Sequence, residues 1–161
     1  LYKRGDMQMN AVDVNELIGE TLDLLRTELL VRQVTSIVEL EAGLPPVEGS
    51  RVQLQQVVLN LALNAAEALN TVTDRERKLT IRTGSSGPCV LLYVIDNGPG
   101  IAADPLDRVF EPFWSTRDAG MGMGLAICQS IVTAHRGSIT VANGDRGGAA
   151  FCVRLPVQQP P

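Results

Sequence analysis

The chain has 161 residues, a formal net charge of −4, 45% hydrophobic residues and 20% charged residues. That length supports one domain with a substantial core, and the acidic balance excludes a basic surface built to hold nucleic acid or an anionic membrane. A polyanionic ligand would have to be held by local features: backbone amides, helix ends or a metal ion.

Cys89, Cys128 and Cys152 form no C-x-x-C pair and read as buried thiols of a reducing cytosol, neither a disulfide frame nor a zinc site. No apolar run approaches the length of a membrane span and no signal peptide is seen, so a cytoplasmic location without direct membrane contact is expected for this piece, with membrane anchoring of its parent protein left open. The chain opens at LYKRGDMQ without a methionine, which points to a piece of something longer.

In chain order, Asp13 with Glu16 has the form of a capping box, and Val14, Leu17, Ile18, Leu22, Leu25 and Leu29 continue at helical spacing, predicting a helix over about 13–32. VTSIVELEA alternates as a strand and GLPP breaks it. Ser50 with Gln53 is a second capping-box signature, opening a long helix through about Asn70. TVTDRERK is a polar loop, and LTIRTG and CVLLYVID are strands joined by SSGP in a hairpin. After NGPGI comes a long irregular stretch through Gly120, with a turn near 105–109. GLAICQSIVTAH is a third helix ended by Arg136-Gly137, and SITVAN and AAFCVRLP close the chain as strands around NGDRGG. The fold class expected is an α/β two-layer sandwich: a mixed, mostly antiparallel sheet of about five strands against three main helices.

Within the second helix, Leu54, Val57, Val58, Leu61, Ala65 and Leu69 form the apolar stripe. Gln53, Gln56, Asn60, Asn64 and Glu67 share another face at spacings of three and four. An amide oxygen is a hard, neutral ligand suited to Mg²⁺, which keeps waters and takes phosphate oxygens, although the same pattern fits a solvated face. Asp96 ends the apolar run from Val90 to Ile95 and should emerge at the sheet rim, where a carboxylate can accept from an exocyclic amine of adenine. Gly98 and Gly100 would let backbone approach a flat base, or simply make a turn. Gly120, Gly122 and Gly124 precede the third helix, whose N-terminal amides attract phosphate; a glycine hinge is the plain alternative. No GxxxxGK[ST] occurs, and Leu125 and Ile127 stand where a dinucleotide fingerprint would place its third glycine. Phe110, Phe113 and Trp114 cluster in the loop and can anchor it, while Arg117 is the nearby cation able to reach a phosphate.

Taken together, QQVVLNLALNAAEAL, DNGPGI, FEPFWSTR and GMGMGLA resemble the asparagine, first glycine, phenylalanine and second glycine boxes of the sensor histidine kinase catalytic domain. That domain shares a superfamily with gyrase, the heat-shock ATPase chaperones and MutL. The ending AHRGSITVANGDRGGAAFCVRLP also resembles the family's closing helix and strands, so the likeness covers nearly the whole chain. It implies a Bergerat-type ATP-binding fold over 9–156, a linker over 1–8 from an upstream helical domain, and a tail over 157–161. It implies that Asn64 coordinates Mg²⁺, with Asn60 one turn earlier at the same site and Arg117 beside them in catalysis. Asp96 would hold the adenine amine, and Gly98, Gly100, Ile101, Phe110, Phe113 and Thr116 would line the nucleotide. Gly122 and Gly124 would meet the phosphates, Gly120, Met121, Met123 and Leu125 would also bind ATP, and about 102–121 would form a mobile ATP lid. The partners implied are an upstream dimerisation and phosphoacceptor domain of the same protein and a response-regulator receiver domain, with this piece monomeric and its parent homodimeric. Two departures stand out: Glu67 where many relatives carry Lys or Arg, and His135-Arg136-Gly137 in place of His-Gly-Gly.

Three functions compete on the residues. A histidine kinase domain offers the γ-phosphate of Mg-ATP to a histidine elsewhere. An ATPase of the gyrase or chaperone type needs a general base, a glutamate four residues before the metal-binding asparagine in those relatives. Here that position is Asn60, whose amide cannot take a proton at neutral pH, which favours the kinase and leaves a serine kinase of the superfamily open. A nucleotide-binding domain without transfer is the third reading. His135, the sole histidine, lies near a helix end and reads as structural rather than as the acceptor.

Overall fold

The computed structural model describes residues 8–114, 124–145 and 147–158. Its first helix starts where a cap permits it: Asp13 Oδ1 accepts the Glu16 amide at 3.1 Å, and α1 runs Val14–Val31. Helix α2 runs Arg51–Ala68, capped by Ser50 Oγ on the Gln53 amide at 3.3 Å. The reciprocal half of the expected box is replaced by a distant side chain. The Ser50 N–H donates to Nε2 of His135 at 3.0 Å, and His135 is only 3% exposed.

His135 follows α3 (Gly124–Ala134), and its Nδ1 donates to the Ile131 carbonyl at 2.8 Å. Nδ1 therefore carries the proton and Nε2 the lone pair that receives Ser50. The sole histidine thus ties the end of α3 to the start of α2, the structural role expected of it. No larger residue fits beside it at position 49, because a Cβ on Gly49 would lie 2.7 Å from Leu54 Cδ1 and 2.9 Å from His135 Cδ2. His135→Ala is expected to lower stability by about 2–4 kcal/mol, through an orphaned amide and a cavity, read as a shifted urea midpoint at unchanged slope.

The strands are β1 (Asn10–Val12), β2 (Val34–Glu39), β3 (Val47–Gly49), β4 (Arg77–Ser86), β5 (Cys89–Asp96), β6 (Ser138–Asn143) and β7 (Ala149–Pro156). Five of them form one sheet in the order β2-β4-β5-β7-β6, parallel between β2 and β4 and antiparallel elsewhere. This is the mixed, mostly antiparallel sheet under three helices that the sequence predicts. The pairing register sets one inward row: Leu79, Ile81 and Thr83 of β4 stand opposite Asp96, Val94 and Leu92 of β5. Phe151, Val153 and Leu155 of β7 continue that row. The apolar side chains of this row meet Leu54, Val57, Val58, Leu61, Ala65 and Leu69 from α2 in one core.

Three local expectations change. The short β1 and β3 form a separate two-stranded antiparallel sheet, with no counterpart in the sequence reading. Strands β4 and β5 pair out to Ser86 and Cys89, so the hairpin turns on Gly87-Pro88 alone, with φ +58° at Gly87. After α3 the left-handed residue is Arg136 (φ +61°), and the Gly137 amide reaches back to the Val132 carbonyl at 2.9 Å. Gly137 is needed for space instead, since its Cβ would lie 2.2 Å from the Arg154 carbonyl oxygen.

Candidate active site

The polar line on α2 is set by the inward packing of the opposite face: with Leu61, Ala65 and Leu69 in the core, Asn60 and Asn64 are left half-buried. Asn60 faces α3. Its side chain hydrogen-bonds Cys128, a buried α3 thiol that also points at the Val57 carbonyl at 3.8 Å. Burial pushes the Cys128 thiol up to about 11, with the Asn60 bond pulling weakly the other way, so it stays protonated at neutral pH. Asn64 is one helical turn further on, roughly 6 Å along the axis. Another turn leads to Ala68, whose carbonyl would lie 3.1 Å from a Cβ on Gly98. The amide line therefore runs from the first turns of α3 to the loop after β5.

Asp96 occupies the other end. It ends β5 as expected, but it points inward in the core row rather than emerging at an open rim, and it is 6% exposed. Its Oδ1 accepts the Gly98 amide at 2.8 Å. Burial raises the Asp96 carboxyl above its ordinary range, while the amides of Gly98 and Ala149 act in the opposite direction. An ionised carboxylate has about four lone-pair sites, so two amides leave room for an incoming donor.

Backbone closes tightly around this carboxylate. Gly98 has no space for a side chain, as a Cβ would lie 2.9 Å from Asp96 Oδ1. Gly148, at φ +81°, brings the β6–β7 turn so close that its Cβ would lie 2.0 Å from the Asp96 carbonyl oxygen. Gly100, at φ +86°, turns the chain toward Ile101, which is half-buried. Asn143, Arg75 and Asn97 hydrogen-bond this loop and were not singled out in the sequence, because side-chain bonds to backbone leave no periodic trace.

The phenylalanine box divides between two roles. Phe110 closes the short 3-10 turn Leu106–Phe110, is buried, and meets Phe151 edge-to-face at 6.0 Å. It anchors this stretch of the loop to the core. Phe113 is 78% exposed at φ +68°, and Trp114 is half-buried against the core. Gly124 and Leu125 begin α3, with open space around the Gly124 Cα and Leu125 buried. Thr116, Arg117, Gly120, Met121, Gly122 and Met123 lie outside the described residues, as does most of the second glycine box. Glu67 is exposed on α2.

Among the described residues, no group of three or more His, Cys, Asp or Glu could hold a metal, and no helix is long and apolar enough to cross a membrane. The donor set still fits Mg²⁺ bound with a polyphosphate, which needs only one or two protein oxygens and takes the rest from phosphate and water.

Comparison with known proteins shows the family and the fold. The family model for histidine kinase-, DNA gyrase B- and HSP90-like ATPases matches residues 49–159. The C4-dicarboxylate transport sensor protein DctS of Rhodobacter capsulatus is 36% identical over 98% of this chain and 24% of its own length. Sensor histidine kinase ZraS of Escherichia coli (strain K12) is 36% identical over 98% of this chain and 33% of its own. The chain thus spans a quarter to a third of the length of these curated relatives. Among solved structures, the nucleotide-free catalytic domain of histidine kinase ThkA superposes with a TM-score of 0.82 at 30% identity, covering 93% of this chain and 96% of that one. Full-length ShkA in complex with AMPPNP gives 0.80 at 25% identity, over 94% of this chain and 31% of that one. ThkA in complex with the response regulator TrrA gives 0.79 at 27% identity, over 93% and 42%.

Proposed function

This chain belongs to the family of histidine kinase-, DNA gyrase B- and HSP90-like ATPases as a catalytic domain of the sensor histidine kinase type, and we propose that it holds Mg-ATP along the α2 amide line and presents the γ-phosphate to a histidine on a separate domain. The observation that carries this reading is the buried Asp96 carboxylate fixed at one end of that line. A carboxylate in that position accepts from the exocyclic amine of adenine, and the base then lies against the Gly98–Gly100 backbone. The triphosphate extends along Asn64 and Asn60 toward the start of α3, where helix amides favour negative charge. Bound Mg²⁺ supplies charge neutralisation on the phosphate oxygens, with Asn64 as its protein ligand and Asn60 beside it.

Transfer is preferred to hydrolysis because, among the described residues, the groups seen to meet at Asn60 do not take a proton from water: its own amide, and a thiol whose pKa is pushed up to about 11. The domain therefore contributes positioning and charge stabilisation, with little covalent chemistry of its own. Arg117, Thr116 and the glycines of 120–124 would complete the phosphate contacts. The acceptor is placed on an upstream dimerisation domain of the same protein, followed by a response-regulator aspartate, with the reaction in the cytoplasm. Residues 9–156 are then the nucleotide domain, and 102–121 its lid.

Mg-ATP, added to this chain together with the helical region that precedes it in the parent protein, should label a histidine of that region. Release of inorganic phosphate at the same rate without the added region would overturn transfer in favour of an ATPase.

A further inference from the structure

The loop that aims Asp96 is held from two sides by residues outside the four motifs. Arg75, between α2 and β4, donates to the Asn97 carbonyl from Nε at 3.0 Å and from Nη2 at 2.7 Å. Nη2 also reaches the Gly98 carbonyl at 3.3 Å, and Nη1 pairs with Asp74 at 2.7 Å, which orients the fork. On the other side, Asn143 at the end of β6 bonds Ile101 in both directions. Its Oδ1 accepts the Ile101 N–H and its Nδ2 donates to the Ile101 carbonyl, each at 2.9 Å. One amide side chain thus does for Ile101 what a neighbouring strand would do. Asn97 adds a third tie: its Oδ1 accepts the Lys78 amide and its Nδ2 donates to the Glu76 carbonyl, each at 2.8 Å.

We propose that Arg75 and Asn143 are positioning residues that set the base selectivity of this site, by fixing the backbone from Asn97 to Ile101 before any nucleotide arrives. The inference rests on Asp96 being the acceptor for a purine amine. Asp96 Oδ1 is tied to the Gly98 amide, and the Asn97 carbonyl of that same peptide unit is tied to Arg75, so the arginine holds the peptide against which the carboxylate is aimed. Adenine offers a donor to that carboxylate, whereas guanine offers a carbonyl oxygen at the corresponding position. Rejection of guanine depends on the carboxylate being unable to turn away from that oxygen, which is a constraint on the loop and not on Asp96 alone. Gly98 and Gly100 supply the freedom to move, and the two clamps remove it.

The test compares Arg75→Ala, Arg75→Lys and Asn143→Ala with the parent chain, by titration calorimetry with ATP and GTP and by amide hydrogen exchange without nucleotide. Each alanine variant should bind ATP roughly 5- to 10-fold more weakly, as the loss of two or three loop hydrogen bonds of modest net worth predicts. Its ATP:GTP preference should narrow by roughly threefold or more, while its melting temperature moves little, since both side chains lie at the surface. Exchange should quicken at Gly98 in Arg75→Ala and at Ile101 in Asn143→Ala. Arg75→Lys keeps the charge and loses the fork, so its selectivity should follow alanine. Wild-type selectivity in Arg75→Lys would show that the positive charge of Arg75, and not its fork on the loop carbonyls, was the cause, and would overturn the inference. Unchanged exchange at both amides would overturn it without reference to nucleotide. A folded parent chain that binds neither nucleotide would overturn the underlying nucleotide reading, and this inference with it.

Discussion

Asp96→Asn is expected to weaken ATP binding roughly 10- to 150-fold, the loss of about 1.5–3 kcal/mol that follows when a charged hydrogen-bond acceptor becomes neutral. The asparagine keeps one oxygen for the Gly98 amide, so the loop geometry has a partner on which to persist. What it loses is the second oxygen, replaced by an NH₂ group that opposes the adenine amine donor for donor. Titration calorimetry at fixed Mg²⁺ measures the change, and an affinity within twofold of the parent chain would remove Asp96 from the base site.

The same substitution has a signature without nucleotide. Burial raises the Asp96 pKa in the folded chain above its unfolded value. A carboxyl shifted in that direction contributes its stability below the unfolded pKa and loses it as pH rises through the folded value. At neutral pH the parent chain therefore bears the cost of a buried charge that the asparagine variant does not have. Paired thermal melts from pH 7 down to pH 4 should show the stability difference moving in favour of the parent chain on acidification, since only the parent gains a proton at this position. A difference that is flat with pH would mean that Asp96 is ordinary in the folded state, and one that moves the other way would mean that its amide partners outweigh its burial.

The elements with strong periodicity were legible in the sequence, and those fixed by single contacts were not. Helices α1 and α2 announce themselves by Asp13 and Ser50 and by apolar residues at helical spacing. β7 matches AAFCVRLP residue for residue, because its alternation is uninterrupted. β1 and β3 are three residues each, too short for any period to register, and they exist because they pair with each other. At the site, the asparagine line and Asp96 could be read from residue type and spacing. Their surroundings could not: that Asn60 meets Cys128 depends on how α3 crosses α2, and that Asp96 is buried depends on a register shared with Leu79 and Phe151. Phe110 shows the limit most clearly. Its motif carries no sign of the edge-to-face contact with Phe151 that ties it to the core, a pairing worth about 0.5–1.5 kcal/mol beyond its burial.

Asn64→Ala should reduce Mg²⁺-dependent transfer to the acceptor histidine about 100-fold or more, equivalent to roughly 2.7 kcal/mol of transition-state stabilisation, while ATP binding without Mg²⁺ changes little. The side chain is half-buried on a helix whose opposite face is locked in the core, so its oxygen is presented from a rigid element. Alanine is the best helix former, which removes helix disruption as a cause of the loss. Asn64→Asp distinguishes ligand from charge. It restores an oxygen but sets a negative group beside the triphosphate, so activity should return in part and only at raised Mg²⁺. The decisive measurement is phosphate transfer from labelled ATP across a Mg²⁺ titration. If Asn64→Ala kept the parent's Mg²⁺ dependence, the metal would have to be held elsewhere, and Asn60 and Asn64 would be no more than a polar face. If Asn64→Ala and Asn64→Asp separate as expected, neutrality of the amide is itself functional: it lets one helix hold a metal without adding to the charge the metal is there to offset.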